Sequence, residues 1–124
     1  EEFKSDSGKT VDVPMVVLVN GNTASASEIM TGCLKDYKKA TVVGTTTYGK
    51  GIVQTAFSLS DGTGVKITIE DYYLPSGKSI HKVGVDPDVE IDLPDELKTY
   101  VTIPEDEDVQ LQKAIEIMKE QLQK

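Results

Sequence analysis

Ser25 and Lys50 are the two side chains of this sequence best placed to do chemistry together. Ser25 lies in a stretch of small residues, Thr23 to Glu28 (TASASE), that follows an apolar run, and Lys50 stands between two glycines in GKG. A hydroxyl becomes an effective nucleophile when a nearby base removes its proton, and a neutral lysine amine can be that base. The chain has a single histidine, which favours lysine further. The pair therefore predicts a hydrolytic Ser-Lys dyad.

The same serine can also be explained without catalysis, as the start of a helix. Ser25-Ala26-Ser27-Glu28 matches the S/T-x-x-E capping box. A serine at a strand-to-helix turn would lie at the positive end of the helix dipole, where the N–H of Ala26 is the natural donor to an oxyanion. Ser27 is an alternative nucleophile, because the spacing tolerates a shift of two positions. The sequence leaves the capping role and the catalytic role open.

Lys50 needs a special environment to act as a base. An exposed lysine has a pKa of about 10.4, so burial or a cationic neighbourhood would have to lower that pKa to roughly 7 to 8. The flanking Gly49 and Gly51 let the backbone come close to another element or to a substrate. We therefore expect Lys50 at the rim of a buried strand and not on a solvated loop.

Three other kinds of site are disfavoured. Residues 44–51 (GTTTYGKG) nearly match the P-loop, but Gly51 replaces the hydroxyl that holds magnesium, and strand formers follow where a P-loop opens a helix. His81 has basic neighbours, which argues against a Ser-His-Asp triad. The stretch DPDVE lacks the spacing of a calcium loop, and one His with one Cys cannot build a zinc site. We expect neither a metal nor a cofactor.

The elements that must position these residues mix strands and helices, which predicts an α/β fold in one domain or a piece of one. The last helix has a narrow apolar stripe and must dock on another element. The predicted elements are a strand buried on both faces at 14–20, a helix from about Ser25, a second buried strand at 40–44, a third strand at 52–60, a hairpin turn at 61–64, a fourth strand at 65–74, a surface-lying extended piece in VGVDPDVEI, and a helix at 109–123 with Leu111, Ile115, Met118 and Leu122 as its stripe.

Composition and charge narrow the class of protein. The 124 residues carry a formal charge of −8, concentrated between Asp86 and Asp108, which we interpret as a solvated surface. The basic residues are all lysines and form no stripe interleaved with aromatics, which argues against nucleic-acid binding. Cys33 is the single cysteine, so an internal disulfide is excluded, and we expect it to pack in the core. No apolar run approaches the roughly 20 residues of a membrane span.

Several ordered motifs resemble the carboxyl-terminal processing peptidases, also called tail-specific proteases. The resemblance runs from about Pro14 to the end of the chain, through VVLVNGNTASASEI, LKDYKKATVVGTTTYGKGIVQ, YYLPSGKSI and VGVDPDVEI. It implies a ClpP/crotonase-like mixed sheet with packed helices. It also implies that Ser25 is the nucleophile, that Lys50 is the base and that Gln54 orients the lysine amine. Thr23 departs conservatively from the serine that opens the stretch in this family.

The resemblance also raises Asp36 as a candidate third catalytic residue, and helix geometry argues against it. With a helix that starts near Ser25 and rises about 1.5 Å per residue, Asp36 would lie roughly 16 Å further along the axis. Asp36 therefore could not touch Ser25. We expect it to be a polar anchor near the end of the helix.

Two family features are not found before Pro14: a PDZ domain that reads substrate tails, and a DLRxNPGG-like strand end that supplies another oxyanion donor. We therefore expect residues 1–12 to be a polar lead-in and residues 13–124 to be the carboxyl-terminal part of a serine protease domain. Such a piece would be an incomplete domain, poorly active on its own, with the upstream segments as its partners.

The resemblance implies an endopeptidase that cuts protein or peptide substrates near their carboxyl termini. It also implies an extracytoplasmic setting such as a cell envelope or periplasm, with a signal or anchor expected upstream, since no signal peptide opens the chain at Glu1. An incomplete domain with an amphipathic last helix could also form a homo-oligomer. The alternative function is a noncatalytic interaction module with the same fold, in which Ser25 only caps its helix.

Overall fold

The computed structural model describes residues 4, 8 and 11–123. Most of the predicted polar lead-in at 1–12 therefore lies outside the described residues. The two predicted helices are present, and strands form in all four predicted strand segments, which confirms the α/β class. In chain order the elements are β1 (Val16–Val19), α1 (Ala26–Asp36), β2 (Thr41–Gly44), β3 (Ile52–Ser58), β4 (Gly64–Asp71), β5 (Val89–Glu90) and α2 (Val109–Leu122).

The first sheet is parallel and has the strand order β1-β2-β5. α1 forms the crossover between β1 and β2, as parallel pairing requires. Val42 and Val43 of β2 are fully buried, which confirms the prediction of a buried second strand. The same prediction for residues 14–20 is wrong at Leu18, which is 42% exposed. β1 is an edge strand of this sheet, and the face that carries Leu18 is partly open to solvent, whereas Val19 on the other face is buried.

β5 lies in the segment VGVDPDVEI, which the sequence predicts to be a short extended piece along the surface, and the structure shows that this segment also joins the sheet. Val89 pairs with Val43, which adds a third parallel strand to the sheet. The preceding Asp88 fixes the join, because its carboxylate accepts a hydrogen bond from the N–H of Val42 at 2.9 Å and lies 3.0 Å from the Lys35 amine. The acidic stretch is therefore not purely a solvated surface. Part of it ties β5 to β2 and α1.

β3 and β4 form a separate antiparallel hairpin. The predicted turn is confirmed, since the Asp61 carboxylate accepts hydrogen bonds from the N–H of Thr63 at 3.0 Å and from its hydroxyl at 2.7 Å. β4 ends at Asp71 and not at the predicted Leu74. Leu74 instead packs with Ile80 and Val85 in a buried cluster. The chain after β4 thus turns back into the core close to the loop before β3.

α2 docks on β1 and β2 as predicted, but through a different face. Gln110 and Ala114 are buried, whereas Ile115 of the predicted stripe is 42% exposed and Leu122 is 67% exposed. The buried glutamine has a partner, because its amide nitrogen donates to the main-chain oxygen of Ile91 at 2.7 Å. This hydrogen bond allows a polar side chain to occupy the docked face, which the apolar pattern did not indicate.

Two smaller expectations concern α1 and the membrane. Cys33 is a free thiol and is half-buried, so it packs less deeply than predicted. Within residues 11–123, neither helix combines the length and apolar character needed to cross a bilayer.

Candidate active site

Ser25 lies at the turn between β1 and α1, where it is the N-cap residue of the helix. Its φ of 60° and ψ of −122° belong to a region that non-glycine residues rarely adopt. The turn before it is held by the N–H of Thr23, which donates to the Asn20 carbonyl at 2.9 Å. Backbone strain of this kind costs about 1–3 kcal/mol and concentrates at functional sites. Ser25 therefore has a geometry that helix capping alone does not require.

Glu28 completes the predicted capping box and also reaches the loop that carries Lys50. Its side chain is fully buried. Oε2 accepts hydrogen bonds from the N–H of Ser25 and from the N–H of Lys50, each at 2.8 Å. Oε1 accepts from the Thr47 hydroxyl at 2.5 Å and from the N–H of Gly49 at 2.6 Å. One carboxylate thus fixes the backbone of Ser25 relative to that of Lys50.

The charge state of Glu28 follows from these contacts. Burial raises the pKa of Glu28, but the four hydrogen bonds lower it by more, so the pKa lies below its ordinary value. The carboxylate is ionised at neutral pH. It therefore acts only as an acceptor, and each of its oxygens accepts from two donors.

The glycines on both sides of Lys50 allow the loop to pack closely against residues 80–84, as expected. Gly49 has a φ of +87°, and its carbonyl accepts a hydrogen bond from the N–H of Lys82 at 2.8 Å. A Cβ on Gly51 would lie 2.6 Å from the backbone nitrogen of His81. Larger residues at these two positions would push the loop away. The GKG spacing thus sets the position of the Lys50 backbone.

The residues predicted from the sequence line one cavity of about 310 Å³. Ser25, Ala26, Lys50 and Gln54 all contribute to its lining. Ser27, the alternative nucleophile, does not line it. A larger cavity of about 570 Å³ is lined by the end of α1, the start of β2 and the chain before β1, and its lining contains neither serine nor cysteine.

Ala26 is the first residue of α1. The N–H of a first helical residue has no partner within the helix, so it is free to bind an oxyanion. Its position beside Ser25 agrees with the predicted donor role. The positive end of the helix dipole also lies at this residue and would stabilise a negative charge there.

The contacts between the polar side chains of this cavity are less direct. In the described part of the chain no hydrogen bond joins Ser25 Oγ to Lys50 Nζ. The Gln54 amide nitrogen donates to the Thr68 hydroxyl at 3.3 Å and does not contact Lys50. Catalytic hydrogen bonds are often long until a substrate tightens the site. The structure thus brings these residues to one cavity, and their chemistry depends on a short movement of the lysine amine.

The β3–β4 pairing is irregular at Gln54. Val53 pairs with Glu70 and Gln54 pairs with Thr68, which leaves Ile69 as an extra residue in β4. Such a bulge bends the strand and re-aims nearby side chains, and bulges are common beside active sites. The irregularity lies at the end of the hairpin that lines the cavity, where Gln54 and its neighbours Ile52 and Val53 contribute to the lining.

Tyr72 is a site residue that sequence reasoning missed. Its hydroxyl donates a hydrogen bond to the main-chain oxygen of Lys50, and its side chain lines the cavity with Ser25. Burial raises the pKa of Tyr72, a hydrogen bond with the Ser25 side chain lowers it and the negative charge of Glu28 raises it, so the net pKa is above its ordinary value. Period-2 alternation in YYL separates Tyr72 from Tyr73, which is 62% exposed, but does not say which of them faces a site.

Asp36 is the last residue of α1, and its carboxylate accepts a hydrogen bond from the N–H of Ser76 at 2.9 Å. This contact lowers the pKa of Asp36 and confirms the expected role as a polar anchor. The side chain of His81 does not line the cavity of Ser25. Within residues 11–123, no group of three or more His, Cys, Asp or Glu side chains is arranged to hold a metal ion.

Comparison with known proteins places this geometry among peptidases. A carboxyl-terminal-processing protease of Synechocystis sp. is 43% identical over 118 residues, which are 95% of this chain and 27% of the relative. A chloroplastic C-terminal processing peptidase of Tetradesmus obliquus is 50% identical over 93 residues, covering 73% of this chain and 20% of the relative. The chain thus spans about a quarter of the length of these relatives.

A solved structure and a family pattern agree with these relatives. The photosystem II D1 C-terminal processing protease superimposes with a TM-score of 0.61 at 52% identity, covering 65% of this chain and 22% of that one. The pattern of peptidase family S41 matches residues 1–91. The matched range contains the Ser25 turn, the GKG loop and the β3–β4 hairpin, and the chain belongs to peptidase family S41.

Proposed function

We propose that this chain carries the nucleophile and the base of a serine endopeptidase, with Ser25 as the nucleophile and Lys50 as the base. The observation that carries the proposal is the buried carboxylate of Glu28, which binds the N–H groups of both residues at 2.8 Å. A helix cap alone has no need of the second contact. The strained backbone of Ser25 and the shared cavity support the same reading.

In the proposed mechanism, Ser25 Oγ attacks the carbonyl carbon of the scissile peptide and its proton passes to Lys50 Nζ. The negative charge that develops on the carbonyl oxygen is stabilised by the N–H of Ala26 at the start of α1. Lys50 then gives the proton to the leaving amine, and an acyl-enzyme remains. Lys50 next takes a proton from the water that attacks this ester and returns it to Ser25 Oγ as the acyl–oxygen bond breaks, which restores both residues. Gln54 orients the lysine amine through its side-chain amide.

The substrate and setting follow from the relatives. Because the similar proteins are carboxyl-terminal processing proteases, we propose that the protein containing this chain cuts proteins near their carboxyl termini outside the cytoplasm. The chain would form the carboxyl-terminal part of the protease domain, with a PDZ domain and a second oxyanion donor supplied by upstream segments. The 27% coverage of the Synechocystis relative supports this arrangement.

The test is a set of serine and lysine variants in the full-length protein, assayed for cleavage of a peptide with a free carboxyl terminus. Ser25→Ala and Lys50→Ala should each reduce kcat by at least about a thousandfold, because both groups act in one chemical step. Ser27→Ala is the matched serine control and should keep its activity. Lys66→Ala is the lysine control, since Lys66 also lines the cavity, and should cost far less than Lys50→Ala.

The noncatalytic alternative predicts a different result. If Ser25 only caps α1, Ser25→Ala costs about 1 kcal/mol of stability and leaves any measured cleavage unchanged. Circular dichroism and thermal unfolding separate this loss of stability from a loss of chemistry. Parental turnover in a folded Ser25→Ala or Lys50→Ala protein would refute the dyad.

A further inference from the structure

Tyr72 is held firmly on two sides. Its N–H donates to the main-chain oxygen of Gly51 at 3.1 Å, which continues the pairing of β3 with β4 by one residue. Its side chain is half-buried and packs against the cluster of Leu74, Ile80 and Val85. A ring fixed by both backbone and packing has few rotamers left. Its hydroxyl is therefore delivered to a defined point in the cavity.

That point lies between the two proposed catalytic residues. The Tyr72 hydroxyl donates its only hydrogen to the main-chain oxygen of Lys50. The Tyr72 side chain also lines the cavity to which Ser25 and Lys50 both contribute. Tyr72 thus holds the lysine peptide through its proton and lies in the same cavity as the proposed nucleophile.

Glu28 and Tyr72 bind opposite ends of the same residue. Glu28 accepts from the N–H of Lys50, and Tyr72 donates to the carbonyl of Lys50. These two hydrogen bonds hold the N–H and the carbonyl of Lys50, so they set the direction in which its side chain leaves the backbone. Glu28 also accepts from the N–H of Ser25, so the Lys50 main chain that Tyr72 binds is fixed relative to the Ser25 turn.

We propose that Tyr72 is a positioning residue of the peptidase reaction, which holds the Lys50 main chain in place beside the Ser25 turn; this rests on the proposed function. Tyr72 transfers no proton to the substrate in this scheme. Burial keeps the pKa of its phenol above the ordinary value, so it stays protonated at neutral pH and serves as a donor. Losing the hydroxyl would therefore loosen the geometry and leave nucleophile and base in place.

The experiment compares Tyr72→Phe with Tyr73→Phe in the full-length protein. Tyr73 is the next residue, is 62% exposed and does not line the cavity, so it controls for loss of any tyrosine hydroxyl. Tyr72→Phe should lower kcat by about 10- to 100-fold, the scale expected for a misplacement near 1 Å, with KM little changed. Tyr73→Phe should keep both constants. A purely structural role would lower the melting temperature without this division between kcat and KM.

A conservative variant makes the test decisive. Tyr72→4-aminophenylalanine keeps an N–H donor to the Lys50 carbonyl, so this variant should retain most of the parental kcat. It can be tested even if Tyr72→Phe does not fold. A folded 4-amino variant with strongly reduced kcat would overturn the proposal. So would a Tyr72→Phe protein with parental kcat, or one in which the loss lies wholly in KM.

Ser25→Ala is assayed beside these variants. If Ser25→Ala abolishes cleavage while Tyr72→Phe does not reduce it, the positioning role fails and the proposed function stands. If Ser25→Ala retains cleavage, the proposed function fails, and the role assigned to Tyr72 fails with it.

Discussion

Replacing Glu28 by glutamine tests how the two halves of the candidate site are joined. The change keeps the size and shape of the side chain and removes its charge. Each carboxylate oxygen accepts two hydrogen bonds, Oε1 from Thr47 and Gly49 and Oε2 from Ser25 and Lys50. In either orientation of the amide, its NH2 group faces two donors and cannot accept from them. Glutamine is therefore not conservative at this position.

The size of the effect follows from the number of donors that lose their acceptor. Two donors are left unsatisfied, and each costs about 1–3 kcal/mol when buried. Water entering the site and a small shift of the loop offset part of this, so we expect a loss of about 2–4 kcal/mol. For a domain of this class, that loss corresponds to a melting temperature lower by about 5–15 °C.

The assay is calorimetric unfolding of the full-length protein together with peptide cleavage. Glu96→Gln is the matched control, because Glu96 is exposed and makes no hydrogen bond or ion pair in the described part of the chain. Glu28→Gln should lower both the melting temperature and kcat, since one amide orientation leaves the N–H groups of Ser25 and Lys50 without an acceptor and the other leaves Thr47 and Gly49, in the loop before Lys50, without one. Glu96→Gln should change neither.

Two results would refute the reasoning. A Glu28→Gln protein that melts with the parent would show that the four contacts add nothing to stability. A protein that melts lower but turns over at the parental rate would show that Glu28 supports the fold without positioning Ser25 or Lys50.

Three further predictions use the same structure. The hydrogen bonds that lower the pKa of Glu28 stabilise the fold at pH values above 4.5, the pKa of an ordinary glutamate, and that stability is lost as pH falls through the lowered pKa of the folded state. The melting temperature, measured from about pH 7 to pH 3, should therefore fall less steeply with pH for Glu28→Gln than for the parent. Gly51→Ala should destabilise the protein by about 1–3 kcal/mol and reduce kcat, because the new Cβ would lie 2.6 Å from the backbone nitrogen of His81. Gly21→Ala is the control and should be tolerated in the same melting and cleavage assays, because a Cβ at Gly21 would meet no atom within 4 Å. The 124-residue chain on its own should cleave a peptide at least about a hundredfold more slowly than the full-length protein, the cost of one missing oxyanion donor, and equal turnover would contradict the proposed upstream donor.

Much of the fold could be predicted from local patterns. The apolar run before Asn20, the helical spacing after Ser25 and the DGTG turn each have a strong local signal, and each element formed where predicted. β5 could not be predicted in the same way. It has two residues. Its place in the sheet depends on the pairing of Val89 with Val43 and on the hydrogen bond of Asp88 with Val42, and in each case the two partners are distant from each other in sequence. Pairing between distant segments leaves no periodic mark in the sequence.

The residues of the candidate site also differ in whether their signal in the sequence is local. Ser25 and Lys50 stand out because their neighbours are small residues or glycines, a local feature. The second role of Glu28 was hidden, because S/T-x-x-E predicts a helix cap and says nothing about a loop 20 residues away. Tyr72 was hidden because the partner of its hydroxyl lies in the GKG loop, 22 residues away. The candidate nucleophile and base could be proposed from the sequence, whereas the contacts of Glu28 and Tyr72 with the Lys50 loop required the fold.

The strain at Ser25 explains why such alignment needs more than one residue. A non-glycine residue with a φ of 60° and a ψ of −122° relaxes unless its neighbours hold it, at a cost of about 1–3 kcal/mol. The buried hydrogen bond from the N–H of Ser25 to Glu28 opposes that relaxation, and a charge-assisted bond of this kind contributes about 1.5–3 kcal/mol. These energies are comparable, so Glu28 alone leaves the serine only marginally fixed. The Ser25 turn therefore depends on the position of the Lys50 loop that shares Glu28, and Tyr72, which binds that loop, is the residue whose loss should slow the reaction more than it weakens the fold.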